Sequence, residues 1–147
     1  MHVRTVLDTN VLVAALRSDK GASRRILLAA LDGKLSVVVS VPLMVEYEAV
    51  LTRPEQLAAF GISADEVQEI LNALAIVLEP IRLRFLWRPQ LRDPADEMVL
   101  ETAVHGQASR LITFNIRHLK VAAQKFGIRV LTPGEAWNEM RDGKAES

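Results

Sequence analysis

Four acidic residues of this chain stand where the strands and helices of one parallel sheet are expected to meet. Asp8 follows an apolar strand pattern and precedes a helical one, in VRTVLDTNVLVAAL. In an open parallel sheet that position lies at the carboxyl edge, where ligands bind. Glu46, Asp93 and Asp96 stand where each can face the same edge. The chemistry that these residue types favour is therefore binding of a metal ion by carboxylates.

Glu46 belongs to a predicted helix that begins at Pro42. Leu43, Glu46, Tyr47 and Val50 recur at the spacing that places them on one helix face. That face should pack on the sheet, and no Lys or Arg lies three or four residues from Glu46 to pair with it. A buried carboxylate without a partner is costly, so a ligand is one explanation. The alternative is a side chain at the rim of this face that reaches water.

Asp93 and Asp96 belong to the segment DPADE, which opens another predicted helix. Asp93 suits the N-cap and Pro94 the first helical position, and both acidic residues complement the helix dipole. Capping alone would explain the pair. Asp96 also shares a face with Val99 and Leu100, however, which predicts that it points inward.

Carboxylates that converge at one edge repel each other, so they need raised pKa values or a cation. The chain has no Cys, which excludes thiolate-bound zinc, iron–sulfur clusters and disulfides. An all-oxygen ligand set suits Mg²⁺ or Mn²⁺. Such an ion promotes attack of water on a phosphoryl group, which makes hydrolysis of a phosphodiester the expected reaction class.

The elements that must position these residues alternate between strand and helix along the whole chain. This pattern predicts an α/β fold of three α/β/α layers with a central parallel sheet of four to five strands. Residues 1–141 are expected to form one domain, followed by a polar tail over 142–147. Strands are predicted at residues 3–7, 35–40, 109–114 and 128–131. Helices are predicted after Asp8, over 22–31, from Pro42, before Gly61, after Ser63, from Pro94, over 117–127 and after Pro133.

Charge and hydropathy limit the remaining possibilities. The 18 basic and 18 acidic residues cancel, so any contact with nucleic acid must come from a local patch. Trp87 is a candidate for stacking on a base, with a core role as the alternative. No apolar run approaches the length of a membrane span and no leader is visible, so a cytoplasmic location is expected. The basic candidates for RNA contact are Arg17, Lys20, Arg24, Arg25, Arg117, His118 and Lys120.

Three blocks of the sequence resemble the PIN-domain ribonucleases. They are LDTNVLVAAL, SVPLMVEYEAVL and DPADEMVLETAVHGQASRLITFN. Their order and spacing are similar to those of the VapC-type toxins of bacterial toxin–antitoxin pairs. The resemblance implies a Mg²⁺- or Mn²⁺-dependent endoribonuclease that acts on RNA, binds a cognate antitoxin and forms a homodimer.

The resemblance also assigns roles to individual residues. Asp8, Glu46 and Asp96 match the acidic positions of the family, and Asn115 matches a fourth position that is Asp or Asn in its members. The implied catalytic set is Asp8, Glu46, Asp96 and Asn115, and the implied metal ligands are Asp8, Glu46 and Asp96, with Asp93 as an additional candidate. A neutral Asn115 lowers the negative charge of the site and leaves open whether one or two ions are held.

The alternatives to this function are a phosphatase, a response-regulator receiver and a PIN fold without catalytic activity. A phosphatase of the haloacid-dehalogenase type also uses an aspartate after its first strand, but it requires a second Asp where this chain has Asn10. A response-regulator receiver requires an aspartate at the end of a central strand, where this chain has Ser40. A PIN fold that is catalytically weak or inactive and serves as a binding module is the non-enzymatic alternative.

Overall fold

A five-stranded parallel sheet forms the centre of the computed structural model, which describes residues 3–84 and 87–143. The strands follow the order β3-β2-β1-β4-β5 across the sheet. Every pairing is parallel, as the alternation of strands and helices predicts. The bounds of the strands are β1 Arg4–Leu7, β2 Ser36–Val39, β3 Glu79–Pro80, β4 Arg110–Ile112 and β5 Arg129–Leu131.

Helices cover the sheet on both faces, which gives the predicted three-layer arrangement. A core of buried aliphatic side chains lies between the sheet and these helices. None of the helices in the described part of the chain is long and apolar enough to cross a membrane. The bounds of the helices are α1 Thr9–Arg17, α2 Ala22–Leu31, α3 Val41–Leu51, α4 Pro54–Phe60, α5 Ala64–Val77, α6 Pro94–His105, α7 Ile116–Gln124 and α8 Pro133–Arg141.

The central strands bring distant parts of the sequence to the same edge. Leu7 of β1 stands beside Ile112 of β4, and the backbone N–H of Asp8 donates to the Ile112 carbonyl at 2.9 Å. Asp8 and Thr113 therefore leave the sheet side by side, although 105 residues separate them in sequence. This edge carries the candidate site.

Helix starts agree with the capping signals of the sequence. The Ser63 side chain accepts a hydrogen bond from the Glu66 amide, while the Glu66 carboxylate accepts from the Ser63 amide, which completes a capping box before α5. Asp93 caps α6, because its carboxylate accepts from the Ala95 amide at 2.9 Å. These local bonds fix where the two helices begin.

Two elements differ from the sequence prediction. β3 was not predicted, because Glu79–Pro80 has no alternating apolar pattern and only two residues. The predicted strand over 109–114 is shorter in the structure, where β4 ends at Ile112. Its last residues form the turn that carries Thr113 and Asn115 instead.

Candidate metal centre

Asp8 and Thr113 form the centre of the site. The Thr113 hydroxyl donates to Asp8 Oδ2 at 2.6 Å, and the same oxygen of Thr113 accepts from the Asn115 amide at 2.9 Å. Both side chains are buried, with 7% and 0% of their residue surface exposed. A single hydroxyl thus fixes the orientation of the Asp8 carboxylate and the start of α7 together.

Asp96 lies close enough to Asp8 for their charges to interact. It stands in the first turn of α6 and is buried, as its share of the inward helix face predicts. Burial raises the pKa of the Asp8 carboxyl, and the negative charge of Asp96 raises it further. The hydrogen bond from Thr113 and the backbone amides of Thr9 and Asn10 act in the opposite direction. The site therefore holds two carboxylates that repel each other when both are ionised. Protonation of one of them, or binding of a cation between them, relieves this repulsion.

Two residues at the start of α7 contact Asp96. Asn115 Nδ2 lies 3.4 Å from Asp96 Oδ1, and His118 Nδ1 lies 3.6 Å from Asp96 Oδ2. Each oxygen of the Asp96 carboxylate therefore faces one side chain of α7. Asn115 supplies a neutral amide here, so it adds no third negative charge to the pair.

Tyr47 connects α3 to this edge of the sheet. Its hydroxyl donates to the carbonyl of Leu7 at 2.6 Å, one residue before Asp8. Burial of the Tyr47 hydroxyl raises its pKa, and the nearby charge of Asp8 adds to this effect. Tyr47 thereby places α3, and with it the half-buried Glu46, next to the end of β1.

The structure does not bring all the predicted ligands into contact. Asp8, Asp96 and Asn115 are joined by hydrogen bonds and charge interactions, whereas the side chain of Glu46 makes no hydrogen bond within residues 3–84 and 87–143. The Asp93 carboxylate is engaged in capping α6. Within the described residues, no group of three His, Asp or Glu side chains is arranged to hold a metal ion. The metal-binding roles of Glu46 and Asp93 therefore stay predictions.

The chemistry of the donors nevertheless fits a hard divalent cation. Asp8 and Asp96 present buried carboxylate oxygens whose mutual repulsion such an ion would offset. Asp8 and Asp96 are the two acidic residues that the structure brings together for such an ion, while a ligand role of Glu46 on the adjoining helix stays a prediction. Neither Cys nor a cluster of His competes with these oxygen ligands in the described chain.

Several polar residues near the edge have structural roles. Ser40 caps α3 through the Leu43 amide at 3.3 Å, and its hydroxyl lies 2.7 Å from the Thr102 hydroxyl. Asn10 Oδ1 accepts from the Phe114 amide at 3.4 Å. These bonds hold the ends of β2 and β4 in place beside the two aspartates.

The basic candidates for RNA contact are partly engaged elsewhere. Arg17 donates to the Gln56 side chain at 2.9 Å, and Arg24 donates to the Ala15 carbonyl at 2.6 Å. The Arg25 guanidinium lies over the Trp137 ring, 5.6 Å from its centroid. Of the predicted set, His118 is the residue that the structure places in contact with the acidic pair.

Sequence reasoning gave Thr113 and Tyr47 no definite role. Thr113 is a polar residue at the end of a strand, and Tyr47 belongs to the helix face that the sequence predicts to pack on the sheet. The hydroxyl of Thr113 donates to Asp8, 105 positions away in sequence, and the hydroxyl of Tyr47 donates to the Leu7 carbonyl, 40 positions away. A polar residue directly after a buried strand is the one sequence signal that singles out Thr113.

The comparisons with known proteins agree with this architecture. The PIN domain family matches residues 4–117, which is more than half of the chain. The chain therefore belongs to the PIN domain family, whose members are nucleases. No curated protein matches the sequence significantly.

A solved structure shares the fold. It is described as VapBC2 from Rickettsia felis bound to a DNA fragment from their promoter. The match covers 88% of this chain and 98% of that chain, with a TM-score of 0.61 and 16% sequence identity. The arrangement of strands and helices is thus similar to that of a chain in the VapBC2 structure.

Proposed function

We propose that this protein is a metal-dependent endoribonuclease and the toxin of a toxin–antitoxin pair. The observation that carries the proposal is the buried pair of Asp8 and Asp96 at the carboxyl edge of a PIN-domain sheet. The likeness of the fold to a chain of VapBC2 supports the toxin assignment and an antitoxin partner. Self-association into a homodimer stays a prediction from the family resemblance.

The residues of the site have distinct tasks in this mechanism. Asp8 and Asp96, with Glu46, would hold Mg²⁺ or Mn²⁺, and the bound ion would supply Lewis acidity toward a phosphoryl oxygen. Thr113 keeps the Asp8 carboxylate in one orientation through its 2.6 Å hydrogen bond. The Asn115 amide donates a longer hydrogen bond, of 3.4 Å, to one oxygen of Asp96, and His118 stands 3.6 Å from the other. The protein thereby prepares the geometry for in-line attack of water before the RNA arrives.

Phe114 supports a nucleic-acid substrate. It lies between Thr113 and Asn115, the two residues that contact the aspartates, and 51% of its surface is exposed. Its backbone amide is held by Asn10. An exposed phenyl ring beside a phosphodiesterase centre is suited to stack on a base of single-stranded RNA.

The deciding experiment measures cleavage of end-labelled single-stranded RNA oligonucleotides of mixed sequence by the purified protein. Cleavage is expected with Mg²⁺ or Mn²⁺ and not with EDTA, and it is expected to be lost in Asp8→Asn. Asp32→Asn is the matched control, because Asp32 is exposed at the end of α2. Metal-independent cleavage, or full activity of Asp8→Asn, would contradict the proposal.

The same assay separates the alternatives. A catalytically inactive PIN fold, which the lack of a three-carboxylate cluster among the described residues favours, would bind RNA without cleaving it. An aspartate-nucleophile phosphatase would form an acid-stable aspartyl phosphate. The latter is the weaker alternative, because it requires a second Asp where this chain has Asn10, whose side-chain oxygen accepts from the Phe114 amide.

The toxin assignment has its own test. Expression of the chain is expected to arrest growth, and co-expression with the product of an adjacent small gene is expected to restore it. The Asp8→Asn variant should be harmless when expressed alone. If Asp8→Asn arrests growth as strongly as the wild type, toxicity does not depend on cleavage, and the assignment as a ribonuclease toxin is wrong.

A further inference from the structure

Glu97 binds the segment that precedes α6. Its carboxylate accepts from the Trp87 indole N–H at 2.6 Å and from the backbone amides of Gln90 at 2.6 Å and Leu91 at 2.8 Å. Three charge-assisted hydrogen bonds on one carboxylate indicate that it orders the chain over residues 87–91.

The Trp87 ring reinforces this arrangement. It packs against His105 at the end of α6, with ring centroids 5.9 Å apart, and against Phe126, with centroids 5.5 Å apart. The predicted role of Trp87 in base stacking is therefore replaced by packing on side chains of the protein. Because Trp87 is held at both its ring and its N–H, the segment after it approaches the start of α6 in a defined direction.

This segment forms one wall of a cavity beside the acidic pair. The cavity has a volume of about 430 Å³ and is lined by Gln90, Leu91, Arg92, Asp93, Asp96 and His118. Its size is in the range of pockets that bind small ligands. Asp96 belongs to both the cavity and the candidate metal centre, so a molecule in the cavity would lie next to the reacting groups.

One arginine and one histidine, Arg92 and His118, line this cavity. His118 lies 3.6 Å from Asp96, whereas Arg92 is exposed and has no hydrogen bond or ion pair within the described residues. A guanidinium group offers paired N–H donors that match the oxygens of a phosphate. Arg92 is thus placed to bind an anion that enters the cavity.

We propose that this cavity receives a backbone phosphate and ribose of the RNA strand adjacent to the scissile bond, with Arg92 as the phosphate-binding residue. Glu97 is a positioning residue, because it holds the segment that carries Arg92 without lining the cavity itself. This inference rests on the ribonuclease function proposed above and extends it to the path of the substrate.

The first experiment measures binding of a single-stranded RNA oligonucleotide in the Asp8→Asn background, where cleavage does not interfere. Arg92→Gln is expected to weaken binding roughly tenfold, because a hydrogen-bonded charge pair with phosphate is lost. The slope of the logarithm of affinity against the logarithm of salt concentration should fall by about 0.7, the value for one phosphate contact on a single strand. Arg88→Gln is the matched control, because Arg88 is exposed on the same segment but does not line the cavity.

The second experiment tests Glu97 with a readout other than activity. In a Trp137→Phe background Trp87 is the only tryptophan, since the chain contains two. Glu97→Ala is expected to shift the Trp87 emission to longer wavelength and to weaken RNA binding as much as Arg92→Gln does. Glu97→Gln, which keeps one acceptor oxygen, should give an intermediate emission and affinity.

The outcomes distinguish this inference from the proposed function. If wild-type protein cleaves RNA but Arg92→Gln and Arg88→Gln bind it equally well, the cavity assignment is wrong and the ribonuclease function stands. If Glu97→Ala changes the Trp87 emission but leaves RNA affinity intact, Glu97 has only a structural role. If the wild-type protein neither binds nor cleaves RNA, the proposed function itself fails.

Discussion

Replacing Thr113 with valine removes the hydroxyl that holds Asp8 and changes the side-chain shape little. Thr113 is fully buried, so water cannot replace the lost hydrogen bond without a rearrangement. Two bonds are lost together, namely the one to Asp8 Oδ2 at 2.6 Å and the one from the Asn115 amide at 2.9 Å. The substitution therefore isolates the contribution of one oxygen atom to the site.

The magnitude follows from the types of these two bonds. A hydrogen bond to a charged group contributes about 1.5–3 kcal/mol and a neutral one about 1 kcal/mol. We expect Thr113→Val to lower the free energy of unfolding by about 2.5–4 kcal/mol when Asp8 is ionised. In a domain of this size the melting temperature should fall by roughly 5–15 °C.

The loss should depend on pH in a definite direction. The bond from Thr113 stabilises the ionised carboxylate, so its removal raises the pKa of Asp8 beyond the increase that burial already causes. When Asp8 is protonated, a neutral bond of about 1 kcal/mol is lost instead. The destabilisation by Thr113→Val should therefore be smaller in acid and increase as the pH rises through the pKa of Asp8 in the folded protein.

Urea unfolding followed by circular dichroism, over a series of pH values with EDTA present, measures these quantities. Thr113→Ser is the matched control, because it keeps the hydroxyl and should show little of the pH dependence. A double-mutant cycle with Asp8→Asn isolates the coupling of the two residues. An equal loss from Thr113→Val in the wild-type and Asp8→Asn backgrounds, at all pH values, would refute the claim that the hydroxyl acts through Asp8.

Three further predictions concern the same edge of the sheet. The pKa of Asp8 is higher in the folded protein than in the unfolded chain. The contribution of Asp8 to the free energy of unfolding is therefore fully present below its pKa in the unfolded chain and is lost as the pH rises through its pKa in the folded protein. Asp8→Asn should therefore melt at a higher temperature than the wild type at neutral pH without metal. A higher melting temperature of the wild type under these conditions would refute the claim that the buried charge of Asp8 destabilises the fold. Tyr47→Phe leaves the Leu7 carbonyl without its 2.6 Å partner and should cost about 1–3 kcal/mol in urea unfolding, while an unchanged midpoint would show that water replaces the hydroxyl. Phe114→Ala should weaken binding of single-stranded RNA about fivefold to a hundredfold and Phe114→Trp should not, whereas equal affinities of all three proteins would argue against base stacking.

Local signals in the sequence determined much of the fold. The alternation of apolar strands and amphipathic helices specified a parallel α/β sheet, because each pattern can bury its apolar residues only in that arrangement. The capping box at Ser63 and the N-cap at Asp93 were readable because their partners lie within three residues. β3 was not readable, since a two-residue strand at the sheet edge depends on pairing with Val38 and Val39.

In the candidate site, too, the sequence predicted local features and missed those that depend on contacts between distant residues. The sequence identified Asp8 and Asp96 as inward-facing acidic residues, because a strand end and a helix face each have a fixed geometry. It did not determine that one hydroxyl of Thr113 would hold Asp8, or that Tyr47 would tie α3 to the end of β1. It also gave no indication that the Glu97 carboxylate would accept hydrogen bonds from three donors of the preceding segment.

What the sequence determined by itself is the parallel sheet, the place of Asp8 at the end of its first strand and that of Asp96 on the inward face of a helix, while the set of ligand carboxylates stays a prediction. Only the tertiary structure decided which of them meet, because contacts between residues 19 to 105 positions apart depend on how helices pack on the sheet. Packing joined Asp8 to Asp96 and placed Asn115 and His118 on the oxygens of Asp96. It left Glu46 half-buried on the neighbouring helix, since the hydroxyl of the next residue, Tyr47, anchors that helix instead.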